Sequence, residues 1–246
     1  MKETLLRLLF PPRCALCGHV LRLSEQKGFL CEACKENIPY LPEDVCPRCG
    51  GGTDTAGFCA FCLQPYAFEG AFAAFPYEKV REAVHLFKYD GGIQMGEGLG
   101  ELMAAYLLKY HRELLAKIDV MLAVPLHRAK EKRRGFNQTH ILCEKISEKT
   151  GLPFWKAGLE RKRDTIAQST LSPEERKENL KDAFRATADF SGKRILLVDD
   201  VFTTGATCHA CAKELYRSGA AAVVVFSLAA AGGHGEKEGS VSEGEA

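Results

Sequence analysis

The stretch VDDVFTTGAT, Val198 to Thr207, stands between two patterns of opposite kind. Before and into it runs RILLV, Arg194 to Val198, a near-continuous apolar segment that predicts a buried parallel strand. After it, Ala206 to Ser218 predicts a helix that stops at Gly219, and Ala222 to Leu228 (AVVVFSL) predicts a second buried strand. Strand, helix and strand at that length form a βαβ unit with a right-handed crossover. A ligand of such a unit sits at the carboxyl end of the parallel strand, beside the helix N-terminus.

The residues at that spot describe the ligand. Thr203, Thr204, Gly205, Ala206 and Thr207 offer backbone N–H groups and three hydroxyls. Their small side chains let an anion approach the backbone, and the helix dipole favours a phosphate. Asp199 and Asp200 stand one step earlier. Two carboxylates beside a phosphate do not serve more anion. They suit paired hydroxyls, such as a ribose 2′ and 3′, or a Mg²⁺ that those hydroxyls also bind. Phosphate at one end and diol at the other is the order of a ribose 5-phosphate. LLVDD by itself also resembles the acidic strand end of response-regulator receivers, but those carry it near the start of a domain and lack the T-T-G-x-T turn.

Outward from this unit, Asp119 to Val124 (DVMLAV) predicts another buried strand. Helices are expected over 78–89, 95–111 and 137–150, the last ending at Gly151, with a short strand at 184–187. The fold class is therefore α/β, a parallel sheet flanked by helices. The tail from Gly232 is rich in Gly, Ser and Glu and is expected to be disordered. The opening MKETLLRLLF, Met1 to Phe10, is expected to be a short amphipathic helix rather than a signal peptide. The chain has 246 residues, is 46% hydrophobic and carries a net charge of +1, so nucleic-acid binding would need a local patch rather than a global charge excess. No run approaches the ~18 consecutive apolar residues of a membrane helix.

Eleven cysteines in a chain expected to be cytoplasmic, where thiols stay reduced, need a reason other than disulfides. Eight lie in four C-x-x-C turns: Cys14 with Cys17, Cys31 with Cys34, Cys46 with Cys49 and Cys59 with Cys62. A C-x-x-C turn presents two sulfurs on one side of a bend, and two turns close a tetrahedral Zn²⁺ site. The sequential pairing gives Cys14, Cys17, Cys31 and Cys34 one zinc and Cys46, Cys49, Cys59 and Cys62 the other; an interleaved pairing is the alternative. Either way the metal is a structural staple, since no site keeps an open position. The expected division is a double zinc ribbon over 1–65, the α/β domain over 66–231 and the tail over 232–246. Cys208 and Cys211 lie on a predicted helix and read as buried small residues, with a redox pair as the alternative; Cys143 reads as core.

Two further segments complete the pattern. After the 119–124 strand come Arg128, Lys130, Lys132, Arg133 and Arg134, five cations against the single acid Glu131. At a strand end next to a phosphate site, they make a polyphosphate clamp or a nucleic-acid patch; elsewhere, they would be a solvated face. Arg161 to Leu180 is polar with few apolar anchors and is a candidate lid. A closing loop of this kind shields a reactive centre from water.

The 198–207 stretch resembles the phosphoribosyl pyrophosphate (PRPP) motif of type I phosphoribosyltransferases. Together with the paired C-x-x-C turns, Phe87-Lys88-Tyr89, VPLHRAKEKRRGFNQT (Val124–Thr139) and the R-x-R-x-T-x-x-Q-x-x-L pattern of Arg161 to Leu171, followed by Arg176 and Asn179, it resembles the ComF family over residues 10 to about 228. These bacterial competence-linked proteins carry such a domain behind a double zinc ribbon. The resemblance implies PRPP with Mg²⁺ as ligand. It implies that Asp199 and Asp200 hold the ribose, that Thr203, Thr204, Gly205, Ala206 and Thr207 hold the 5′-phosphate, and that Arg128 serves the pyrophosphate side. Lys88 is a further PRPP-binding candidate, equally readable as a surface residue, and Arg163 a catalytic candidate beside Asp199 and Asp200. It also implies a link to uptake of single-stranded DNA and to competence or DNA-processing proteins. Two functions follow: a PRPP-binding phosphoribosyltransferase-like protein, or a non-catalytic adaptor for single-stranded DNA in which bases stack on aromatics such as Phe136.

Overall fold

The structure is a computed structural model that describes residues 11–22, 24–25, 29–42, 44, 46, 57–59, 62, 66–89, 92–162 and 182–231. The N-terminal helix expected over Met1 to Phe10, Cys49, the lid segment from Arg163 to Leu180 and the tail from Gly232 lie outside these residues.

A four-stranded parallel sheet is the centre of the molecule. Its strands are β1 (Gly70–Pro76), β2 (Val120–Ala123), β5 (Arg194–Phe202) and β6 (Ala222–Ala230), in the spatial order β1-β6-β5-β2. A separate antiparallel pair joins β3 (Leu159–Arg161) to β4 (Phe184–Ala186). The helices are α1 (Glu32–Glu36), α2 (Tyr77–Tyr89), α3 (Gly92–Tyr110), α4 (Arg112–Leu115), α5 (Arg128–Arg134), α6 (Gln138–Thr150) and α7 (Ala206–Arg217). All nine residues of β6 are buried, as a central strand covered on both faces must be.

Side chains alternate across the sheet and feed two cores. Phe72, Met121, Leu196, Val198, Val224 and Phe226 point to one face, where Phe87 of α2, Leu99 and Met103 of α3 and Leu142 of α6 meet them. Ala71, Leu122, Ile195, Leu197, Val223 and Val225 point to the other, against Cys208, Cys211 and Leu215 of α7 and Phe184 of β4. Cys143, Cys208 and Cys211 are all fully or almost fully buried, as the core reading of each expects.

Four differences from the sequence expectation bear on the fold around the site. Strand β5 does not stop at Val198; it runs on through Asp199 and Asp200 to Phe202 because β6 continues beside it, pairing Asp199 with Ser227 and Phe202 with Ala230. The acids therefore stand on a rigid ladder rather than in a turn. The basic run is a short helix, α5, whose first turn is capped by His127 Nδ1 accepting from Ala129 N at 3.3 Å. Arg161, the first residue of the expected lid, is the end of strand β3, paired with Phe184. Strand β1, GAFAAFP, carries no alternation or β-branched run that predicts it, for its residues are small and aromatic.

The cysteine segment clasps the outer edge of β1. Leu41 N donates to Ala74 O at 2.9 Å and Phe58 N donates to Ala71 O at 2.8 Å. An exposed sheet edge with free carbonyls invites pairing with other chains, and these bonds occupy it.

Candidate functional site

Strand β5 carries Asp199 and Asp200 to its carboxyl end, and α7 starts four residues beyond Phe202. Asp200 N donates to Asp199 Oδ1 at 2.8 Å, and Val201 N donates to Asp200 Oδ1 at 2.7 Å, so each carboxylate is oriented by the backbone ahead of it. The structure brings Lys88, near the end of α2, to this pair: its Nζ lies 2.8 Å from Asp200 Oδ2, with both side chains mostly buried. Lys88 is therefore the ion-pair partner of Asp200 and not a free surface cation. Cys208 Sγ donates to Asp199 Oδ2 at 3.5 Å, an interaction that a thiol kept protonated by burial can make.

The two acids are driven apart electrostatically. Burial, followed by the charge of Asp200, pushes the Asp199 carboxyl up to about 7. Burial acts on Asp200 in the same sense, but the Lys88 ammonium outweighs it and holds that carboxyl below its ordinary value. Burial likewise disfavours charged Lys88, and the Asp200 carboxylate reverses this, holding the ammonium above its ordinary value. The positive charge of Arg134, from α5, acts on both partners of the ion pair. Near neutrality the site therefore holds one firmly ionised carboxylate and one poised to gain or lose its proton.

Beyond the acids, Thr203, Thr204, Gly205, Ala206 and Thr207 line a small concavity together with Asp199, Val201, Phe202 and Cys208. Gly205 caps α7 with φ 70°, a left-handed backbone, and a Cβ there would lie 2.7 Å from the Phe202 ring and 2.9 Å from the Tyr66 ring. Only glycine fits that conformation against those two rings. Tyr66 hydroxyl donates to Thr204 O at 2.6 Å. Sequence reading missed Tyr66 in this role; the aromatic pair Tyr66 and Phe68 directly after the last C-x-x-C turn was the available signal. Arg128 is 88% exposed, 3.9 Å from Glu160 on β3, so the carbonyl end of β2 presents it to solvent. Arg163 lies outside the described residues.

The cysteines gather in two groups. The sulfurs of Cys14, Cys17, Cys31 and Cys34 all lie within 4.8 Å of one another, and so do those of Cys46, Cys59 and Cys62. Four sulfurs at ~2.3 Å from one zinc sit about 3.8 Å apart along the edges of a tetrahedron; Cys17 Sγ and Cys31 Sγ are 3.8 Å apart. His19 Nδ1 lies 3.4 Å from Cys17 Sγ, at the edge of this group. The donor set and its spacing fit structural Zn²⁺ in the sequential grouping. Among the described residues no helix is long and apolar enough to cross a membrane.

Known proteins bear out this architecture. The family described as "Double zinc ribbon domain" matches residues 5–63, and the family described as "Phosphoribosyl transferase domain" matches residues 103–243. The Escherichia coli K12 protein named DNA utilization protein YhgH is 32% identical over 225 residues, covering 90% of this chain and 98% of that protein. Competence protein F of Haemophilus influenzae is 29% identical over 226 residues, covering 89% and 97%. Among solved structures, a glutamine PRPP amidotransferase from B. subtilis complexed with ADP and GMP overlays at a TM-score of 0.39, with 20% identity over 59% of this chain and 30% of that one. Ribbon, parallel sheet and nearly full-length kinship to these relatives place the chain in the ComF family, phosphoribosyltransferase-domain proteins with an N-terminal double zinc ribbon.

Proposed function

We propose that the chain binds PRPP with Mg²⁺ at the carboxyl end of β5 and acts as a phosphoribosyltransferase-like protein in the uptake or processing of DNA. The observation that carries the reading is the continuity of the site. A charge-balanced acid pair, Asp199 and Asp200 with Lys88, stands directly before a small-residue turn at the N-terminus of α7. In this reading Asp199 and Asp200 hold the ribose hydroxyls or the Mg²⁺ that binds them, and Thr203 to Thr207 hold the 5′-phosphate. Arg128 faces the pyrophosphate, and Lys88 fixes Asp200 in its ionised state. Arg163 remains a catalytic candidate beside Asp199 and Asp200. Two structural zinc ions staple residues 1–65, the phosphoribosyltransferase-like domain spans 66–231, and 232–246 is an appended acidic tail. The protein works in the cytoplasm, where its thiols remain available to metal. The DNA link rests on the names of the relatives, a DNA utilization protein and a competence protein.

Titration calorimetry of PRPP with Mg²⁺ tests the proposal on the zinc-loaded protein and on the Asp199→Asn/Asp200→Asn double variant. Binding to the former that the latter loses is the expected result, and it calls for a screen of acceptors. Absence of binding to either overturns it. A second reading, a non-catalytic adaptor for single-stranded DNA, draws on the cations of α5, among which Arg128 is widely exposed. It requires an oligonucleotide affinity that falls with salt and falls further in Arg133→Ala/Arg134→Ala.

A further inference from the structure

The turn at 203–207 is held from behind by the chain that leaves the second cysteine cluster. Tyr66 follows Cys62 by four positions. Its hydroxyl bonds Thr204 O at 2.6 Å, and its ring stacks on Phe68 at 4.9 Å and meets Phe202 edge-on at 6.1 Å. Ala67 N donates to His209 Nδ1 at 2.9 Å, which ties the same segment to the first turn of α7. On the other side of the cluster, Phe58 precedes Cys59 and packs its ring on Phe202 at 4.4 Å. The residue before the turn, the turn itself and the helix after it are thus each touched by a residue flanking the second cluster. Cys46, Cys62 and Phe58 are buried in the same core cluster as Phe202 and Cys208.

The Tyr66 hydrogen bond has a directional consequence. A trans peptide is planar, so its N–H points opposite to its C=O. Holding the Thr204 carbonyl toward Tyr66 aims the N–H of Gly205 to the far side of the turn. An anion site built from backbone N–H groups depends on such orientation being fixed before the ligand arrives.

We infer that the second cysteine cluster is the buttress of the 203–207 turn, acting through Tyr66 and Phe58 as positioning residues, so that an intact metal site there sets the turn's affinity for a phosphoryl group. The inference rests on the phosphate reading of the turn proposed above. Among the described residues the first cluster has no such route, for its contacts run to α2 and α3 on the other face of the sheet.

The test compares ribose 5-phosphate and pyrophosphate with Mg²⁺ by calorimetry in the wild type, Tyr66→Phe, Phe58→Leu and Cys62→Ser. Tyr66→Phe keeps the ring and removes one hydrogen bond. It is expected to weaken ribose 5-phosphate about two- to tenfold, while pyrophosphate affinity and a zinc content of wild-type level are retained. A general loss of structure would lower both affinities together. Cys62→Ser is expected to lose one zinc and show the same selective defect more strongly; Phe58→Leu gives the same comparison with all thiols in place. Wild-type affinity for ribose 5-phosphate in both Tyr66→Phe and Phe58→Leu overturns the inference and leaves the proposed function standing. If the wild type binds neither ribose 5-phosphate nor PRPP, the proposed function fails, and hydrogen exchange decides the buttress separately. The His209 amide, bonded to Gly205 O at 2.8 Å, then exchanges faster in Tyr66→Phe if the buttress exists and at the wild-type rate if it does not.

Discussion

The two cysteine clusters share one sequence scheme and sit on opposite faces of the sheet. Cys14 and its neighbours Ala15, Leu16, Leu21 and Leu30 are buried in the core that contains Phe87 and Leu99. The approach is close enough that a Cβ at Gly98 of α3 would lie 2.9 Å from Ala15 Cβ and from Phe29 Cβ. Cys46 and Cys62 are buried in the other core, beside Phe202 and α7. The chain passes from one face to the other around the edge of β1, bonding to it at Leu41 and Phe58. Repetition of a motif therefore does not imply repetition of a role. The first cluster supports the helix that carries Lys88, the charge-balancing end of the site. The second supports the 203–207 turn. A metal staple takes its role from the core against which its loops pack.

The largest effect that would sharpen this contrast is on stability. Cys34→Ser opens the first cluster, whose neighbours belong to the larger core. It is expected to reduce zinc content by one and to cost several kcal/mol, more than Cys62→Ser, with thermal melting and zinc analysis as the readout. If Cys62→Ser destabilised the chain more, while Cys34→Ser weakened ribose 5-phosphate selectively, the assignment of roles would be reversed.

Next in size is Lys88→Met. It leaves the Asp200 carboxylate mostly buried without its ammonium and is expected to cost about 2 kcal/mol at neutral pH. The sign with pH is fixed. Asp200 has a lowered carboxyl in the folded state, so the stability it contributes is present above the carboxylate range and lost as pH falls through that range. In Lys88→Met burial acts on Asp200 without the ammonium and raises its carboxyl. Protonation therefore relieves the variant as pH falls from 7 toward 4 while the wild type keeps its ion pair, and the gap in melting temperature narrows. A gap that stayed constant would mean that Lys88 acts through packing alone.

An effect of similar size, but confined to acid pH, belongs to a residue outside both clusters. His111 stacks on Phe72 with ring centroids 3.9 Å apart, and burial pushes its imidazole down to about 4. A histidine depressed in the folded state takes up its proton on unfolding. Stability is therefore complete above the unfolded value near 6.5 and declines as pH falls from there toward 4, by about 2 kcal/mol at pH 5. His111→Phe is expected to remove that part of the acid sensitivity, measured as melting temperature at pH 5 against pH 7.5. Equal acid sensitivity in the variant would assign the loss to other groups, His140 first, whose imidazole burial also pushes down to about 4.

Much of this was local and therefore legible. The apolar runs of β2, β5 and β6 and the helix of 206–217 announced a parallel sheet because a strand covered on both faces must be apolar at every position. The acid pair and the T-T-G-A-T turn are equally local, and the expectation of a diol beside a phosphate rests on the order of those nine residues alone. The four C-x-x-C turns announced metal because two sulfurs per turn need nothing from the rest of the chain. Packing decided what remained. No spacing in sequence relates Lys88 to Asp200 across 112 positions, or Tyr66 to Thr204 across 138; both pairs exist only because β1 and α2 are laid beside β5 and β6. The register of β6 carried β5 past Val198 and placed the acids on a ladder. The alternation of the sheet sent the two like-patterned cysteine clusters to opposite faces, since a pleated strand has two sides and each core accepted the loops whose apolar residues it could bury.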